Sequence, residues 1–268
     1  MRVIVILGRV LDPSGIVVKG KAGRIFVNRE EYVLQPADRC ALEAALRIKD
    51  VVGAKVVVLP RGPLPDDDVL RYALATGADE ALYLTGDGFE AAGDAVVARV
   101  LRAAVERLGG ADLVLTGATT LDTGQGQLGP RLAEALGCAQ IVCAWQVAVQ
   151  RVSESARGKV QAVLQQGSDY VTVEADMPAV VTMLPGSLKL RYPDGVRLIN
   201  IYKGVGEIAE GLEQWDVTGL VGTEALAPLL ERRGQDFPPE RERGVRVEGL
   251  PAEMAQVVAD AIRQRVRG

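Results

Sequence analysis

The segment GATTLDTGQGQLG, residues 117–129, gathers residue types that could hold a ligand. Thr119, Thr120, Asp122, Thr123, Gln125 and Gln127 offer side-chain hydrogen bonds. Gly124, Gly126 and Gly129 let main-chain amides approach a ligand closely. Residues 124–129 also spell G-x-G-x-x-G, the dinucleotide fingerprint. That fingerprint works when its glycines turn the chain straight out of a strand, so that a pyrophosphate lands on the first amides of the next helix. Here the apolar run DLVLT ends at Thr116, and residues 117–123 intervene before Gly124. An acidic residue to hold a ribose should follow about 20 residues on, but that region reads CAWQVAVQ. The pattern matches and its context does not. The loop reads either as a phosphate cradle at the positive end of the helix it opens or as an ordinary polar turn.

Composition removes other chemistries. The chain of 268 residues has no histidine, and so lacks the commonest general base and the most frequent metal ligand. Most hydrolytic mechanisms thereby lose their usual base, and no catalytic or metal-ligating residue is selected. Cys40, Cys138 and Cys143 lack C-x-x-C spacing and read as buried cytosolic thiols rather than redox groups. Net charge is -4 with a pI near 5.2, which argues against nucleic acid as a partner. The opening run VIVIL is too short for a signal peptide or a membrane span. A cytoplasmic protein without membrane insertion is expected.

The elements that must position the loop follow from periodicity. Hydrophobic residues make up 48% of the chain and aromatics only 4%, which suits an α/β interior rich in Val, Leu and Ala. VIVIL (3–7), KVVVL (55–59), ALYL near residue 82 and DLVLT near 113 have the pattern of strands covered on both faces. Between them lie QPADRCALEAALRIKD, DDDVLRYALATGAD and EAAGDAVVARVLRAAVERLGG, with GQLGPRLAEALG after the last, all helical in pattern. The alternation, continued by QIVCAW, predicts a mostly parallel, doubly wound sheet. From residue 145 to 184, WQVAVQRV, GKVQAVLQQ, DYVTVEA and PAVVTML read as hairpin strands turning at SESARG and QGSD. Residues 1–184 are thus expected to form the α/β domain. Residues 185–268 are expected to form an extended arm, containing FPPERERG and closed by the amphipathic PAEMAQVVADAIRQRV. Ligands of such sheets bind beyond the carboxyl ends of the strands, which selects residues 6–12, 34–38, 60–63 and 117–129.

Seven blocks carry a resemblance: VILGRVLD, QPADRCALEAALRIKD, VLPRGP, LRYALATGADEALYL, ADLVLTGATTLDTGQGQLGPRLAEALG, MPAVVTM and LRYPDGVRLINIYK. In this order they resemble the β subunit of electron-transfer flavoproteins over residues 2–204. The tail DFPPERERGVRVEG is similar to that family's C-terminal arm. The resemblance implies a sheet of the adenine-nucleotide-binding type in a heterodimer whose larger α subunit holds most of a redox-active FAD. The β subunit shields that flavin and binds AMP or, in electron-bifurcating relatives, a second FAD. Nucleotide contacts are implied at the backbone of Ile6, at Gln35, Pro36, Ala37 and Asp38, and at Arg61. The rest of the implied set is the loop Gly117, Thr119, Thr120, Leu121, Asp122, Thr123, Gly124, Gln125, Gly126, Gln127 and Leu128. GQGQLG then ends a family nucleotide loop, and its Rossmann likeness is coincidence.

Three positions depart from the family pattern. Ala118 stands where a basic residue is usual and Thr119 where a Gln is usual. Ser187 stands where a leucine anchors partner dehydrogenases. The implied partners are the α subunit and flavin-dependent dehydrogenases or a quinone- or ferredoxin-linked acceptor. The competing readings are a bifurcating small subunit with its own FAD, a stand-alone enzyme of ATP pyrophosphatase type, and a nucleotide-sensing module.

Overall fold

The computed structural model describes residues 1–19, 24–89, 92–150, 158–230, 244 and 246–266. Of the expected helix, strand, turns and arm, residues 90, 91, 151–157, 231–243, 245, 267 and 268 lie outside these. The strands of the main sheet are β1 (Arg2–Leu7), β6 (Lys55–Pro60), β7 (Glu80–Thr85), β8 (Leu113–Gly117), β9 (Ala139–Gln150), β10 (Lys159–Gln166), β11 (Asp169–Asp176), β12 (Ala179–Met183) and β13 (Leu212–Asp216). Their order is β11-β10-β9-β12-β8-β1-β6-β7-β13. From β9 to β13 every neighbouring pair is parallel, while β10 and β11 add an antiparallel hairpin at one edge. Two small pairs, β2 (Arg9–Leu11) with β5 (Tyr32–Leu34) and β3 (Ile16–Lys19) with β4 (Arg24–Val27), interrupt the path from β1 to the first helix.

The continuous apolar runs are explained by a sheet covered on both faces. Val3, Val5 and Leu7 of β1 enter one core with α1 (Pro36–Val52) and α2 (Asp68–Thr76). Ile4 and Ile6 enter a second core with α3 (Asp94–Arg107) and α4 (Leu128–Leu136). The side-chain period of two thus sends alternate residues to opposite helical layers. Helix ends follow the sequence signals. Pro36 occupies the first turn of α1, and Gly53 (φ 69°) closes that helix with its amide on the Lys49 carbonyl.

Two expectations for the region after residue 138 need correction. QIVCAW and WQVAVQ are one strand, β9, interrupted by a bulge at which Cys143 has φ 59° and donates its amide to Thr182 Oγ1 at 2.9 Å. PAVVTM is not a hairpin strand, because β12 inserts between β8 and β9 and runs parallel to both. All five residues of β12 are buried, which is the signature of a central strand rather than of a half-exposed hairpin. Of the three cysteines expected to be buried, the structure buries Cys40 and leaves Cys143, at the bulge, exposed.

Residues 195–226 add α5 (Gly195–Lys203), α6 (Glu207–Glu210), β13 and α7 (Thr218–Val221), and they belong to the same compact unit as the sheet, which runs to Arg232. Arg197 Nη2 donates to the carbonyls of Leu74 and Ala78 at 2.8 and 2.9 Å. The preceding segment is fixed to α1 by Arg191, whose backbone N and Nε each donate to Glu43 Oε2 at 3.1 Å and whose Nη2 reaches Asp50 at 2.8 Å. A second unit comprises Lys19–Arg24 and Arg233–Gly268 and contains α8 (Pro251–Val266). Val258, Ile262 and Val266 recur every fourth residue and are exposed, giving an apolar stripe along this helix.

Two measurements test this packing. A Cβ at residue 129 would lie 2.3 Å from Thr182 Cγ2, so Gly129→Ala is expected to destabilise the chain by about 1–3 kcal/mol in urea unfolding, despite the helix propensity of alanine. Burial favours the neutral form of the Glu43 carboxyl, but hydrogen bonds from Arg191 and Arg47 outweigh it and hold the group below its usual range. A lowered folded value contributes stability above the unfolded pKa that is lost as pH falls through the folded one. The stability difference between wild type and Glu43→Gln should therefore shrink as pH drops below about 4. A pH-independent difference contradicts that assignment.

Candidate functional site

The chain builds β1, β6 and β7 outward in one direction and then returns to place β8 on the other side of β1. Such a reversal opens a crevice beyond the carboxyl ends of the two strands, here β1 and β8. Asp38, fully buried in the first turn of α1, spans that crevice. Its Oδ2 accepts from the Gly8 amide and its Oδ1 from the Gly117 amide, each at 2.8 Å. Arg61, just past β6, donates to the same carboxylate through Nε at 3.2 Å and Nη2 at 2.9 Å. Arg61 Nη2 also faces Thr116 Oγ1 at 3.0 Å and the Gly117 carbonyl at 2.9 Å. Burial works against the Arg61 charge, but the charge and hydrogen bonds of Asp38 more than offset it and raise the guanidinium above its ordinary value.

The sequence had to leave room for this arrangement. A Cβ at Gly117 would lie 2.4 Å from Asp38 Oδ1 and 2.6 Å from Ala37 Cβ, so β8 reaches the start of α1 only through a glycine. Gln35 holds the next piece. Its side chain is 3% exposed and its Oε1 accepts from the Leu121 amide at 2.9 Å, while its own amide donates to the Gly8 carbonyl at 2.9 Å.

From this anchor the loop closes on itself. Ala118 extends the strand by donating to the Met183 carbonyl at 2.8 Å. Thr120 N donates to the Gln125 carbonyl at 3.0 Å, and Gln125 N to Thr120 Oγ1 at 3.2 Å. Thr120 and Thr123 share a hydroxyl contact at 2.8 Å, and the Thr123 amide donates to Asp122 Oδ1 at 2.7 Å. Thr119 Oγ1 donates to the Thr120 carbonyl at 3.2 Å. Gly124 turns the chain at φ 67°, and a Cβ on Gly126 would fall 2.6 Å from the Ala118 carbonyl oxygen. Residues 121–127 are exposed. Partial burial disfavours ionisation of Asp122, but hydrogen bonds from the Thr120 hydroxyl and the Thr123 amide prevail and hold its carboxyl below the usual range. The loop then enters α4 at Leu128. No side chain caps that helix, because Gln127 turns its Oε1 to Arg131, which donates from Nε and Nη2 at 3.2 and 2.9 Å.

The residues selected from sequence thus divide into two sets. Ile6 is fully buried with its side chain in the apolar core, which leaves its main chain for any contact. The side chains of Gln35, Asp38 and Arg61 are engaged within the protein, and Pro36 and Ala37 form the first turn that carries Asp38. Residues 119–127 face outward or line the loop. Gly8, which falls in the selected segment 6–12 without being singled out there, and Thr116, which escaped sequence reasoning, complete the anchor. Thr116 gave one signal, a lone hydroxyl at the end of an apolar strand.

The sequence that builds this site has known relatives. The electron transfer flavoprotein domain model matches residues 24–203. The chain belongs to the electron transfer flavoprotein domain family. The electron transfer flavoprotein subunit beta of Thermoanaerobacterium thermosaccharolyticum is 31% identical over 75% of each chain. Protein FixA of Bradyrhizobium diazoefficiens is 30% identical over 98% of this chain and 91% of its own. The subunit beta of Bacillus subtilis is 27% identical over 100% of this chain and 99% of its own. Membership carries electron transport of the flavoprotein β-subunit type, and the α/β sheet is the fold of this electron transfer flavoprotein domain.

The anchor is directly testable. Asp38→Asn keeps the shape but leaves the Arg61 charge buried without its partner, which is expected to cost about 3–5 kcal/mol in chemical unfolding. Asp38→Asn combined with Arg61→Met should recover much of that loss, and a strictly additive double variant contradicts the coupling.

Proposed function

We propose that this chain is the β-type half of a heterodimeric, FAD-containing electron carrier, and that its strand-end loop holds AMP. The observation that supports this most is the loop 117–128, exposed on its outer side and rigidly tied to the β1/β8 crevice by Gln35 and Asp38. The donor set suits an adenine nucleotide. The amides at the start of α4 are left without a side-chain cap, which fits a phosphate. Asp122, favoured as a carboxylate by its hydrogen bonds, fits an acceptor for ribose hydroxyls and is unsuited to face a phosphate.

FAD, held mostly by an α subunit, supplies the electron-transfer chemistry when bound. This chain's part is to hold its own nucleotide and to cover the flavin from water, which needs no acid, base or nucleophile. The need for a larger partner is supported by α8, whose apolar stripe is exposed. Flavin-dependent dehydrogenases, or a quinone- or ferredoxin-linked acceptor, are the proposed exchange partners. The position of the family's anchor leucine is Ser187, which is only partly exposed and whose hydroxyl is buried without a hydrogen-bond partner. Dehydrogenase recognition is therefore proposed to differ from that of leucine-bearing relatives. Among the described residues no helix is long and apolar enough to cross a membrane, and the cytoplasm is the proposed compartment.

Acid extraction of the co-purified complex followed by chromatography tests the assignment. One FAD and one AMP per heterodimer is the expected result. Two FAD would replace AMP by a second flavin, and a complex with no nucleotide beyond one FAD would remove the loop's role.

A further inference from the structure

The charge around the loop is unbalanced in one place. Among the described residues two arginines have contacts that reach it, and of these Arg61 is neutralised by the buried Asp38 carboxylate. Arg131 is exposed and, among the described residues, forms no ion pair; its recorded side-chain contacts are the two hydrogen bonds to the neutral amide of Gln127. Those bonds draw the guanidinium back toward the loop, because helical side chains lean toward the preceding turn. A cation held there opposes the helix dipole, whose favoured neighbours at this end are anions. The helices α1, α2 and α3 carry Asp38, Asp68 and Asp94 in their first turns, whereas that of α4 carries no acid. The loop itself contributes Asp122 and no basic residue.

We infer that Arg131 is a phosphate-binding residue of the nucleotide site, supplying the positive charge that the loop lacks at Ala118. The inference rests on the adenine-nucleotide reading above and deepens it. One guanidinium edge stays on Gln127, which fixes its position, while Nη1 remains for a phosphate oxygen in a charge-assisted hydrogen bond. The same unpaired charge is unfavourable in the empty site and favourable in the filled one. Removing it should therefore weaken binding without weakening the fold.

The test uses the full-length chain in the complex in which it purifies, freed of the loop's nucleotide, with AMP and adenosine as calorimetric probes. Arg131→Ala is expected to weaken AMP binding about tenfold or more while leaving adenosine binding unchanged. It should flatten the salt dependence of AMP affinity and leave the midpoint of thermal unfolding without nucleotide unchanged or raised. Arg131→Lys, which keeps the charge, should retain most of the AMP affinity. Equal AMP affinity in wild type and Arg131→Ala overturns the inference alone, as does a parallel loss of AMP and adenosine binding. Wild type that binds neither probe overturns the nucleotide reading and this inference with it.

Discussion

A single carboxylate organises the carboxyl end of the sheet. Asp38 takes main-chain donors from the ends of β1 and β8 and the guanidinium that follows β6, so three strands and the first helix share one buried group. Each of those amides would otherwise end its strand without a partner at the crevice, and an unpaired buried amide costs about 1–3 kcal/mol. The Arg61 charge is tolerable at 10% side-chain exposure only because Asp38 faces it. A buried pair of this kind adds little net stability against apolar replacements. Its effect is geometric, since it sets the spacing of the ends of β1 and β8 beyond Val5 and Leu115, where their backbone pairing stops.

That spacing sets what the loop can do. With Gly117 pressed against Asp38 and Gln35 holding Leu121, residues 119–127 fold into a small closed turn on a rigid base. The glycines of GQGQLG then divide the work. Gly124 makes the turn, Gly126 rests on the Ala118 carbonyl, and Gly129 lets α4 lie against Thr182 and Thr116. In the Rossmann fingerprint the first glycine likewise turns the chain and the third brings helix and strand together. The resemblance in letters therefore has some physical content, although a loop separates the strand from these glycines.

Much of this was legible in the sequence. The runs VIVIL, KVVVL and DLVLT announced strands covered on both faces, because a parallel sheet leaves no polar side. The loop was found from residue types alone. What could not be read was which strands meet. MPAVVTM carries the same continuous apolar pattern as β1, yet its place in a series of hairpins concealed that β12 is central. LEQWD gave no sign of β13, since an edge strand can be polar on its outer side. Asp38 and Arg61 were selected as ligand contacts, and their mutual pairing depends on a meeting of α1 and β6 that no local pattern encodes. Thr116 was missed, and Gly8 was not singled out within residues 6–12, for the same reason.

On the proposed reading, the anchor exists before any ligand and the loop is where the nucleotide binds. Amide hydrogen exchange of the full chain in its complex, with and without adenine nucleotide, separates the two parts. The Gly8 and Gly117 amides, bonded to Asp38, are predicted to be protected in the nucleotide-free state and to change little. Amides from Gly126 to Gly129, at the uncapped start of α4, are predicted to exchange readily without nucleotide and to slow when it is added. Rapid exchange at Gly8 and Gly117 without ligand, or a loop indifferent to the nucleotide, would contradict the account.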